Sequence, residues 1–302
     1  MAVNTSNEKA TSISLIRQKV YDYKLLVKLR LSLTVVFSSI MAYLIASNGQ
    51  ATFISIIVLG LGGFLITAAA NALNQVLEKD FDKLMTRTAN RPLAADRMKI
   101  SEAVMAAGFM SLIGITLLAL FNPWASFLGT LALCSYAFVY TPIKRISPIA
   151  VVVGAVPGAL PTLIGCVAAQ GSLTALGLVL FALQFFWQFP HFWSIGWLAR
   201  KDYARAGYKI MPTKSNGETD ENVGFQAVFY TLFLYPVCLW LWYNGFISAV
   251  TLTILIMMTL SYSYFSWNFF RKMDRKAALK LMFFSFFYIP FSLILLYLDT
   301  LV

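Results

Sequence analysis

The chain has 302 residues, of which 59% are hydrophobic and 12% are charged, and its formal net charge is +11. An ordinary soluble domain carries roughly a quarter charged residues, so this composition excludes a soluble globular protein and also excludes disorder and collagen. Three cysteines are too few for a disulfide scaffold. The sequence therefore predicts an all-α membrane protein with several spanning helices, because a membrane β-barrel would show short alternating segments instead of long apolar runs.

Long apolar runs predict nine spanning helices, since one span needs about 20 mostly apolar residues. The predicted spans are 31–48, 52–77, 103–121, 124–140, 149–169, 173–198, 224–244, 246–269 and 279–298. Connections after odd-numbered spans are short turn clusters, whereas those after even-numbered spans are longer and charged. We expect residues 1–30 to form an N-terminal segment with an interfacial helix over Lys24–Arg30, and residues 31–302 to form one transmembrane domain.

The basic residues predict the orientation of the bundle. All 24 lysines and arginines lie in the N-terminal segment or in the connections that follow even-numbered spans. The positive-inside rule then places the N-terminus in the cytoplasm and the C-terminus outside, in an inner (plasma) membrane. The net positive charge requires no nucleic acid as a partner, because juxtamembrane basic residues lie beside anionic membrane lipid.

The end of the second predicted span carries a polar face. At about 100° per residue, Asn74, Glu78 and Asp82 fall on one side of a helix, with Asn71 and Gln75 on the same flank. Polar groups at membrane depth are energetically expensive and usually functional. Two carboxylates with neighbouring amide oxygens suit a hard divalent cation, and Mg²⁺ prefers such ligands together with substrate phosphates. The face therefore predicts a metal and diphosphate site.

Basic residues follow this face on the same side of the membrane. Arg87 and Arg91 lie four residues apart just beyond the carboxylates, where two guanidinium groups can bind a diphosphate. The loop after the fourth span contributes Tyr140, Lys144 and Arg145 to the same end. We therefore expect one positively charged site built from two loops.

Two other features favour surface or packing roles. Lys79, Lys83 and Asp96 are expected to form a solvated salt-bridge network. The Gly- and Pro-rich stretch 154–161 in the fifth span indicates close helix packing together with a broken helix near the cavity, or packing alone.

The sixth predicted span ends in a second constellation, around the single histidine of the chain, His191. Pro190 is expected to kink the helix just before it, and Lys201, Asp202 and Tyr203 follow. Helical spacing places His191 and Asp202 on one face, about three turns apart, and we expect that face to line the same cavity. The alternative is a core histidine whose hydrogen bonds are satisfied.

These motifs together resemble the UbiA-type intramembrane prenyltransferases. The resemblance rests on the stretch 74–82 with the form NQxxExDxD and on RTANRPL at 87–93, YTPIKR at 140–145, GAVPGALPTLIG at 154–165, PHFW at 190–193 and KDYARAGYKIMP at 201–212. Gln75 and Glu78 replace aspartates of the general pattern, and this form resembles the heme-directed branch, the protoheme IX farnesyltransferases. The second acidic motif of the wider family carries several aspartates, of which Asp202 is the one present here.

The resemblance implies a helix bundle around a central cavity that opens near the cytoplasmic face. It also implies a Mg²⁺-dependent enzyme, with Mn²⁺ as an alternative ion, that transfers farnesyl from farnesyl diphosphate to a vinyl group of protoheme IX and so gives heme O. One Mg²⁺ is expected on Glu78 and Asp82, with Asn74, and Asp202 is expected either to assist or to bind a second ion weakly. The implied catalytic residues are Asn74, Glu78, Asp82, His191 and Asp202, and the implied substrate-binding residues are Asn71, Gln75, Arg87, Arg91, Tyr140, Lys144, Arg145, Lys201 and Tyr203.

Some points stay open at the level of sequence. His191 could orient a water molecule, accept a proton or ligate the heme iron. Prenylation of a quinone precursor by the same fold is an alternative reaction. A secondary transporter is a further alternative, although transporters place polar residues near the midplane and here the charges cluster at one end. Contact with a heme A synthase or a terminal oxidase assembly factor is also expected for an enzyme that supplies heme O.

Overall fold

The computed structural model describes residues 5–213 and 220–301, with side chains from residue 14 onward. Within these ranges the chain consists of helices joined by short connections, which confirms the all-α prediction. Lys214, one of the basic residues that predict the orientation, lies outside the described residues.

The helices follow one another along the whole described chain. They are α1 (Thr5–Leu26), α2 (Leu29–Ala46), α3 (Phe53–Leu84), α4 (Ile100–Ala119), α5 (Pro123–Ile143), α6 (Ala150–Gln170), α7 (Ala175–Leu198), α8 (Arg200–Arg205), α9 (Asn222–Tyr243), α10 (Ala249–Lys272) and α11 (Arg275–Asp299). In the described part, all of these except α1 and α8 are long and apolar enough to cross a membrane, which confirms the nine predicted spans. Helix α3 continues beyond its predicted end at residue 77, so Glu78 and Asp82 belong to the same rigid helix as Asn74.

The N-terminal segment differs from the prediction. The prediction of a single helix over Lys24–Arg30 is wrong, because α1 ends at Leu26 and α2 begins at Leu29. Between them, Lys28 adopts a left-handed conformation with φ 47° and ψ 56°. The carbonyls of Leu25 and Leu26 accept hydrogen bonds of 2.8 and 2.9 Å from the side-chain amide of Gln75 in α3. These tertiary hydrogen bonds replace those that a continuing helix would supply, so α1 ends against α3.

The short connections between spans form the tight turns that their composition predicts. Gly49, Gly171 and Gly245 have φ values of 78°, 77° and 72°, which a residue with a Cβ rarely adopts. Thr52 caps α3 by accepting a hydrogen bond from the Ser55 amide, and the Ser55 side chain bonds the Thr52 amide in return. Helical hairpins therefore close tightly at this end, which we call the turn end, while the longer charged connections gather at the opposite, charged end.

The fifth span is continuous, so the predicted break within it is wrong and the packing interpretation holds. Helix α6 runs from Ala150 to Gln170 with two prolines inside it. Gln188 and Gln184 of α7 donate hydrogen bonds of 3.1 and 2.9 Å to the carbonyls of Ala155 and Gly158. Amide groups of α7 therefore dock on the proline-containing stretch of α6, while the carbonyls that Pro157 and Pro161 leave without a helical donor are those of Val153 and Pro157.

Small residues allow α2 and α6 to pack closely at the centre of the bundle. A Cβ on Gly165 of α6 would lie 2.1 Å from the carbonyl oxygen of Ser39 and 2.8 Å from the amide nitrogen of Tyr43, both in α2. Contacts this close between backbones are typical of membrane helices, where packing replaces the hydrophobic effect between helices. The α2–α6 contact therefore fixes the position of α2, and with it the position of Lys28.

Candidate active site

The polar face of α3 is buried at the charged end of the bundle. Asn74, Glu78 and Asp82 are 1%, 3% and 1% exposed. The Asn74 side-chain amide donates to Glu78 Oε2 at 2.9 Å and to Thr141 Oγ1 of α5 at 3.0 Å. Asp80, between the two carboxylates in sequence, is exposed. The helical spacing therefore places the three side chains together, as the sequence predicts.

Each buried carboxylate is paired with a cation from a different part of the chain. Lys144, just after α5, forms an ion pair with Glu78. One guanidinium nitrogen of Arg91 donates to both carboxylate oxygens of Asp82, at 2.8 and 2.7 Å. Buried ions require such partners, because an unpaired charge away from water is costly. Two of the predicted diphosphate-binding cations thus lie directly on the predicted metal ligands.

Lys28 is a third cation at this site, and sequence analysis counted it only as a determinant of orientation. Its Nζ donates to Asn74 Oδ1 at 3.0 Å and to the Tyr136 hydroxyl at 3.4 Å. Burial, together with the nearby charges of Arg91 and Lys144, lowers the pKa of Lys28 well below its ordinary value. We use the name inner cluster for six residues: Lys28, Asn74, Glu78, Asp82, Arg91 and Lys144.

Tyr208 is a further residue that sequence analysis missed as part of the site. The Lys209 amide donates to the Lys144 carbonyl at 3.0 Å, which docks the 206–213 segment onto the end of α5. The Tyr208 ring lies 5.6 Å from Lys144 Nζ and 5.4 Å from the ring of Phe81. Burial and the Glu78 carboxylate raise the pKa of Tyr208 above its ordinary value, so its hydroxyl stays protonated and can donate a hydrogen bond. Its position inside the KDYARAGYKIMP motif was the available signal.

A second layer of predicted residues lies at the rim of the site. The Arg87 guanidinium stacks on the ring of Tyr203 at 4.6 Å. Asp202 accepts a hydrogen bond of 3.4 Å from the Thr86 hydroxyl, and its side chain is 20% exposed. Lys201 is exposed. The structure therefore separates the predicted residues into the buried inner cluster and a more accessible rim that includes Arg87, Asp202 and Tyr203.

The remaining predicted residues of the α5 loop have distinct environments. The Tyr140 ring lies 4.8 Å from Lys144 Nζ and forms a wall of the inner cluster. Arg145 instead stacks over Phe81 at 3.9 Å and donates to the Leu77 carbonyl. Its guanidinium is therefore bonded to the apolar side of α3, and the structure does not bring it onto the two carboxylates.

Asn71 and Gln75 donate hydrogen bonds to backbone carbonyls where α1 ends and before α2 begins. The Asn71 amide donates to the Val27 carbonyl at 3.4 Å and to Ser32 Oγ at 3.3 Å. The Gln75 amide bonds the last carbonyls of α1, while its buried side-chain oxygen lacks a hydrogen-bond partner in the described structure. These two residues therefore hold the segment that carries Lys28.

The donor set of the inner cluster fits a hard divalent cation. Among the described residues, no three His, Cys, Asp or Glu side chains converge in a way that could hold a metal ion. Two buried carboxylates one helical turn apart, with the amide oxygen of Asn74 beside them, are nevertheless oxygen ligands of the kind that Mg²⁺ binds when a substrate phosphate completes the shell. The role of these three residues as metal ligands, and that of Asp202 at the rim, stays a prediction.

His191 lies elsewhere, on the side of α7 that contacts α11. Its Nδ1 is 2.7 Å from the Ser285 hydroxyl oxygen, and its ring stacks on Trp187 at 4.9 Å. The Ser285 hydroxyl donates to the Met282 carbonyl at 2.6 Å, so its oxygen accepts the hydrogen of Nδ1. The neutral ring then keeps the lone pair on Nε2. We use the name histidine site for His191, Ser285 and Trp187.

The helical face that was predicted to join His191 to Asp202 is interrupted. Helix α7 ends at Leu198, Ala199 has non-helical angles of φ −96° and ψ 4°, and α8 begins at Arg200. The prediction of one continuous face is therefore wrong. Pro190 lies inside α7, which continues past it.

The salt-bridge network predicted on the outer side of α3 is confirmed. Asp96 pairs with Lys79 at 2.7 Å and with Lys83 at 3.0 Å. The Asp96 side chain is 63% exposed, so these pairs are solvated and contribute little to stability.

Known proteins with similar sequences belong to one prenyltransferase family. The model of the UbiA prenyltransferase family matches residues 35–288. A protoheme IX farnesyltransferase of Flavobacterium johnsoniae is 39% identical over 284 residues, which cover 92% of this chain and 94% of that protein. The protoheme IX farnesyltransferase of Christiangramia forsetii is 38% identical over 283 residues, which cover 92% of this chain and 93% of that protein.

Solved structures share the same arrangement of helices. A structure of digeranylgeranylglyceryl phosphate synthase superposes with a TM-score of 0.78 at 15% identity, covering 94% of this chain and 99% of that one. A UbiA homologue from Archaeoglobus fulgidus, solved with GPP and Mg²⁺ bound, has a TM-score of 0.61 at 15% identity and covers 91% of this chain and 99% of that one. At these identities the likeness establishes the fold.

Proposed function

Because the chain belongs to the UbiA prenyltransferase family, we propose that it transfers a farnesyl group from farnesyl diphosphate to a vinyl group of protoheme IX, giving heme O. The observation that carries the proposal is the inner cluster, in which two buried carboxylates are paired with Lys144 and Arg91 at the charged end of a membrane bundle. The identity of the acceptor is supported by the names of relatives that are 38% and 39% identical over more than nine-tenths of the chain.

The carboxylates of the inner cluster are the proposed metal ligands. Glu78, Asp82 and the Asn74 side-chain oxygen would hold Mg²⁺, with Mn²⁺ as an alternative ion, and Asp202 would assist from the rim. The bound ion would neutralise the charge that develops on the leaving diphosphate. The solved A. fulgidus homologue with Mg²⁺ supports a divalent ion in this fold.

Lys144 and Arg91 are proposed to exchange partners when substrate binds. In the structure their charges neutralise Glu78 and Asp82. A divalent cation on the two carboxylates would take over that neutralisation, and both side chains would then be able to donate to phosphate oxygens. Cations aligned on the leaving group stabilise the charge that develops as the allylic carbon–oxygen bond breaks. Arg87, which stacks on Tyr203 at the rim, would bind the terminal phosphate.

The bundle supplies the second requirement of the chemistry, which is the exclusion of water. A prenyl cation reacts with any water that reaches it, so the apolar interior around α2, α6, α7 and α11 protects it until the vinyl group attacks. After that attack, one water molecule adds to the resulting cation and loses a proton. The Nε2 lone pair of His191 is able to accept that proton or to ligate the heme iron, since Ser285 occupies Nδ1.

The orientation and location are proposed from the sequence pattern. The chain is a multi-span membrane protein. From the basic connections and the positive-inside rule, the proposal is that the charged end, with the inner cluster, lies on the cytoplasmic side of the plasma membrane. A reporter fused after Val302 is expected to be active only outside the cytoplasm. Activity of that fusion in the cytoplasm would contradict this orientation. Contact with a heme A synthase or a terminal oxidase assembly factor, which would receive heme O, also belongs to the proposal.

Analysis of extracted hemes tests the reaction. Cells that lack this protein should accumulate heme B and lose farnesylated hemes, and supplying the protein should restore a heme with the mass of the hydroxyethylfarnesyl derivative. Liquid chromatography with mass spectrometry measures both. An unchanged heme profile together with an altered quinone pool would contradict heme as the acceptor and would favour an aromatic quinone precursor.

A further inference from the structure

The break between α1 and α2 carries a lysine in a conformation that lysine rarely adopts. Lys28 has φ 47°, and in the described part of the chain only Asn48, Asp96 and Met273 share positive φ among residues other than glycine. Such a conformation persists where the surroundings fix it, and it occurs frequently at functional sites. Here the surroundings are the Asn71 and Gln75 amides, which bond the carbonyls of residues 25–27. The side-chain amides of Asn71 and Gln75 in α3 therefore fix the backbone that positions Lys28.

In the described structure the Lys28 side chain points into the inner cluster but forms no ion pair with a carboxylate there. Lys144 pairs with Glu78 and Arg91 pairs with Asp82. Within the described residues, Lys28 has neutral hydrogen-bond partners, the Asn74 amide oxygen and the Tyr136 hydroxyl, and no carboxylate within ion-pair distance. A partly buried ammonium among two other cations is electrostatically unfavourable until an anion arrives. With Lys28 in its ammonium form, the inner cluster has three cations and two carboxylates, and so one more positive than negative charge.

We propose that Lys28 is a diphosphate-binding residue of this enzyme, delivered to the site by the left-handed break between α1 and α2, and that Asn71 and Gln75 are positioning residues for it. This inference rests on the proposed function, because the ligand is the diphosphate of the prenyl donor. A fully ionised prenyl diphosphate with one Mg²⁺ carries one net negative charge, so Lys28 in its ammonium form makes the filled site neutral, and the bound anion favours that form. The ammonium donates to a phosphate oxygen and shares the charge that leaves with the diphosphate.

Two variants of Lys28 separate its charge from its backbone conformation. Lys28→Met keeps a side chain of similar length and the same strained backbone but removes the ammonium. Lys28→Gly removes the side chain and accommodates the left-handed conformation without strain. Lys28→Arg restores the charge. Lys24→Met is the matched control, because Lys24 is exposed on α1 one turn away.

The direct measurement is the stabilisation of the purified protein against thermal unfolding by inorganic diphosphate with Mg²⁺. Lys28→Met and Lys28→Gly are expected to require about 10- to 100-fold more diphosphate for the same stabilisation, as for the loss of a charge-assisted hydrogen bond. Lys28→Arg should regain part of this affinity, and Lys24→Met should match the unaltered protein. In turnover assays KM for farnesyl diphosphate should rise in the two Lys28 variants while KM for the acceptor stays constant.

The outcomes distinguish this inference from the proposed function. Diphosphate affinity equal to that of the unaltered protein in both Lys28→Met and Lys28→Gly would overturn the role of Lys28. Loss in Lys28→Met with normal affinity in Lys28→Gly would also overturn it, because relief of strain would then explain the effect. If the unaltered protein binds diphosphate and the Lys28 variants do not, the inference holds even where heme analysis shows that the acceptor is something else.

Discussion

The inner cluster and the histidine site are built in opposite ways. The inner cluster draws charged side chains from the α1–α2 break, α3, the loop after α3 and the end of α5, and most of its charges are paired. The histidine site has one titratable side chain, held by a hydroxyl and by aromatic rings between α7 and α11. A site that handles a multiply charged leaving group needs many fixed charges, whereas a site beside a large apolar acceptor needs one oriented polar atom. This contrast predicts that variants in the two regions impair different steps.

The largest effect is expected for the carboxylates of the inner cluster. Glu78→Ala or Asp82→Ala should reduce farnesyl transfer by about 10³-fold or more, because each removes a proposed metal ligand at the reacting diphosphate. Asp80→Ala, on the same helix but exposed, is the control and should stay near the activity of the unaltered protein. Normal Mg²⁺-dependent turnover by Glu78→Ala would contradict the assignment of the site.

The next largest effect is expected at the histidine site. His191→Ala should lower the rate of transfer to protoheme IX by about 10²-fold or more, within the range for loss of a proton acceptor. Its affinity for inorganic diphosphate should not change, because His191 lies outside the inner cluster. Ser285→Ala should give a smaller loss of the same kind, and Ser285→Thr should retain most activity, since it keeps the hydroxyl that fixes the ring tautomer. Equal losses of diphosphate binding and transfer in His191→Ala would remove the distinction between the regions.

A moderate effect separates the buried part of the diphosphate site from its rim. Arg91→Ala should raise KM for farnesyl diphosphate by about 10- to 100-fold, and it should also lower stability because Asp82 loses its partner. Arg87→Ala should have a smaller effect on KM, since Arg87 is exposed and stacks on Tyr203. Steady-state kinetics with varied farnesyl diphosphate measure the difference. A larger rise in KM for Arg87→Ala than for Arg91→Ala would contradict the greater importance of the inner cluster for diphosphate binding.

The smallest effect on chemistry, but a clear effect on stability, is expected where α2 packs on α6. Gly165→Ala would place a methyl group against the Ser39 carbonyl, so the helices must move apart at a cost of about 1–3 kcal/mol in the free energy of unfolding. Gly108→Ala, whose Cβ would meet no atom within 4 Å, is the control. Thermal unfolding of the purified proteins compares them. Equal stability of the two variants would show that α2 and α6 can move apart without a loss in the free energy of unfolding.

Much of the candidate site could be predicted because it lies on one helix or directly follows one. Asn74, Glu78 and Asp82 repeat at the spacing of helical turns, and a helix converts that spacing into a shared face wherever it lies. Tyr208 and Lys28 could not be placed in the same way. Each lies in a segment between helices, and its position depends on hydrogen bonds to α3 or to the end of α5 that no local pattern encodes.

The sequence by itself determined the class of protein, the nine spans and the polar face of α3, because long apolar runs and helical periodicity are local properties. Only the tertiary structure decided that Lys144 and Arg91 lie on the two carboxylates and that α6 continues through its prolines. It also decided that the helix face from His191 ends before Asp202. Those features arise from contacts between segments distant in the chain. The tertiary hydrogen bonds from Gln75 meet the last carbonyls of α1, which ends at Leu26, and helical periodicity does not encode that end.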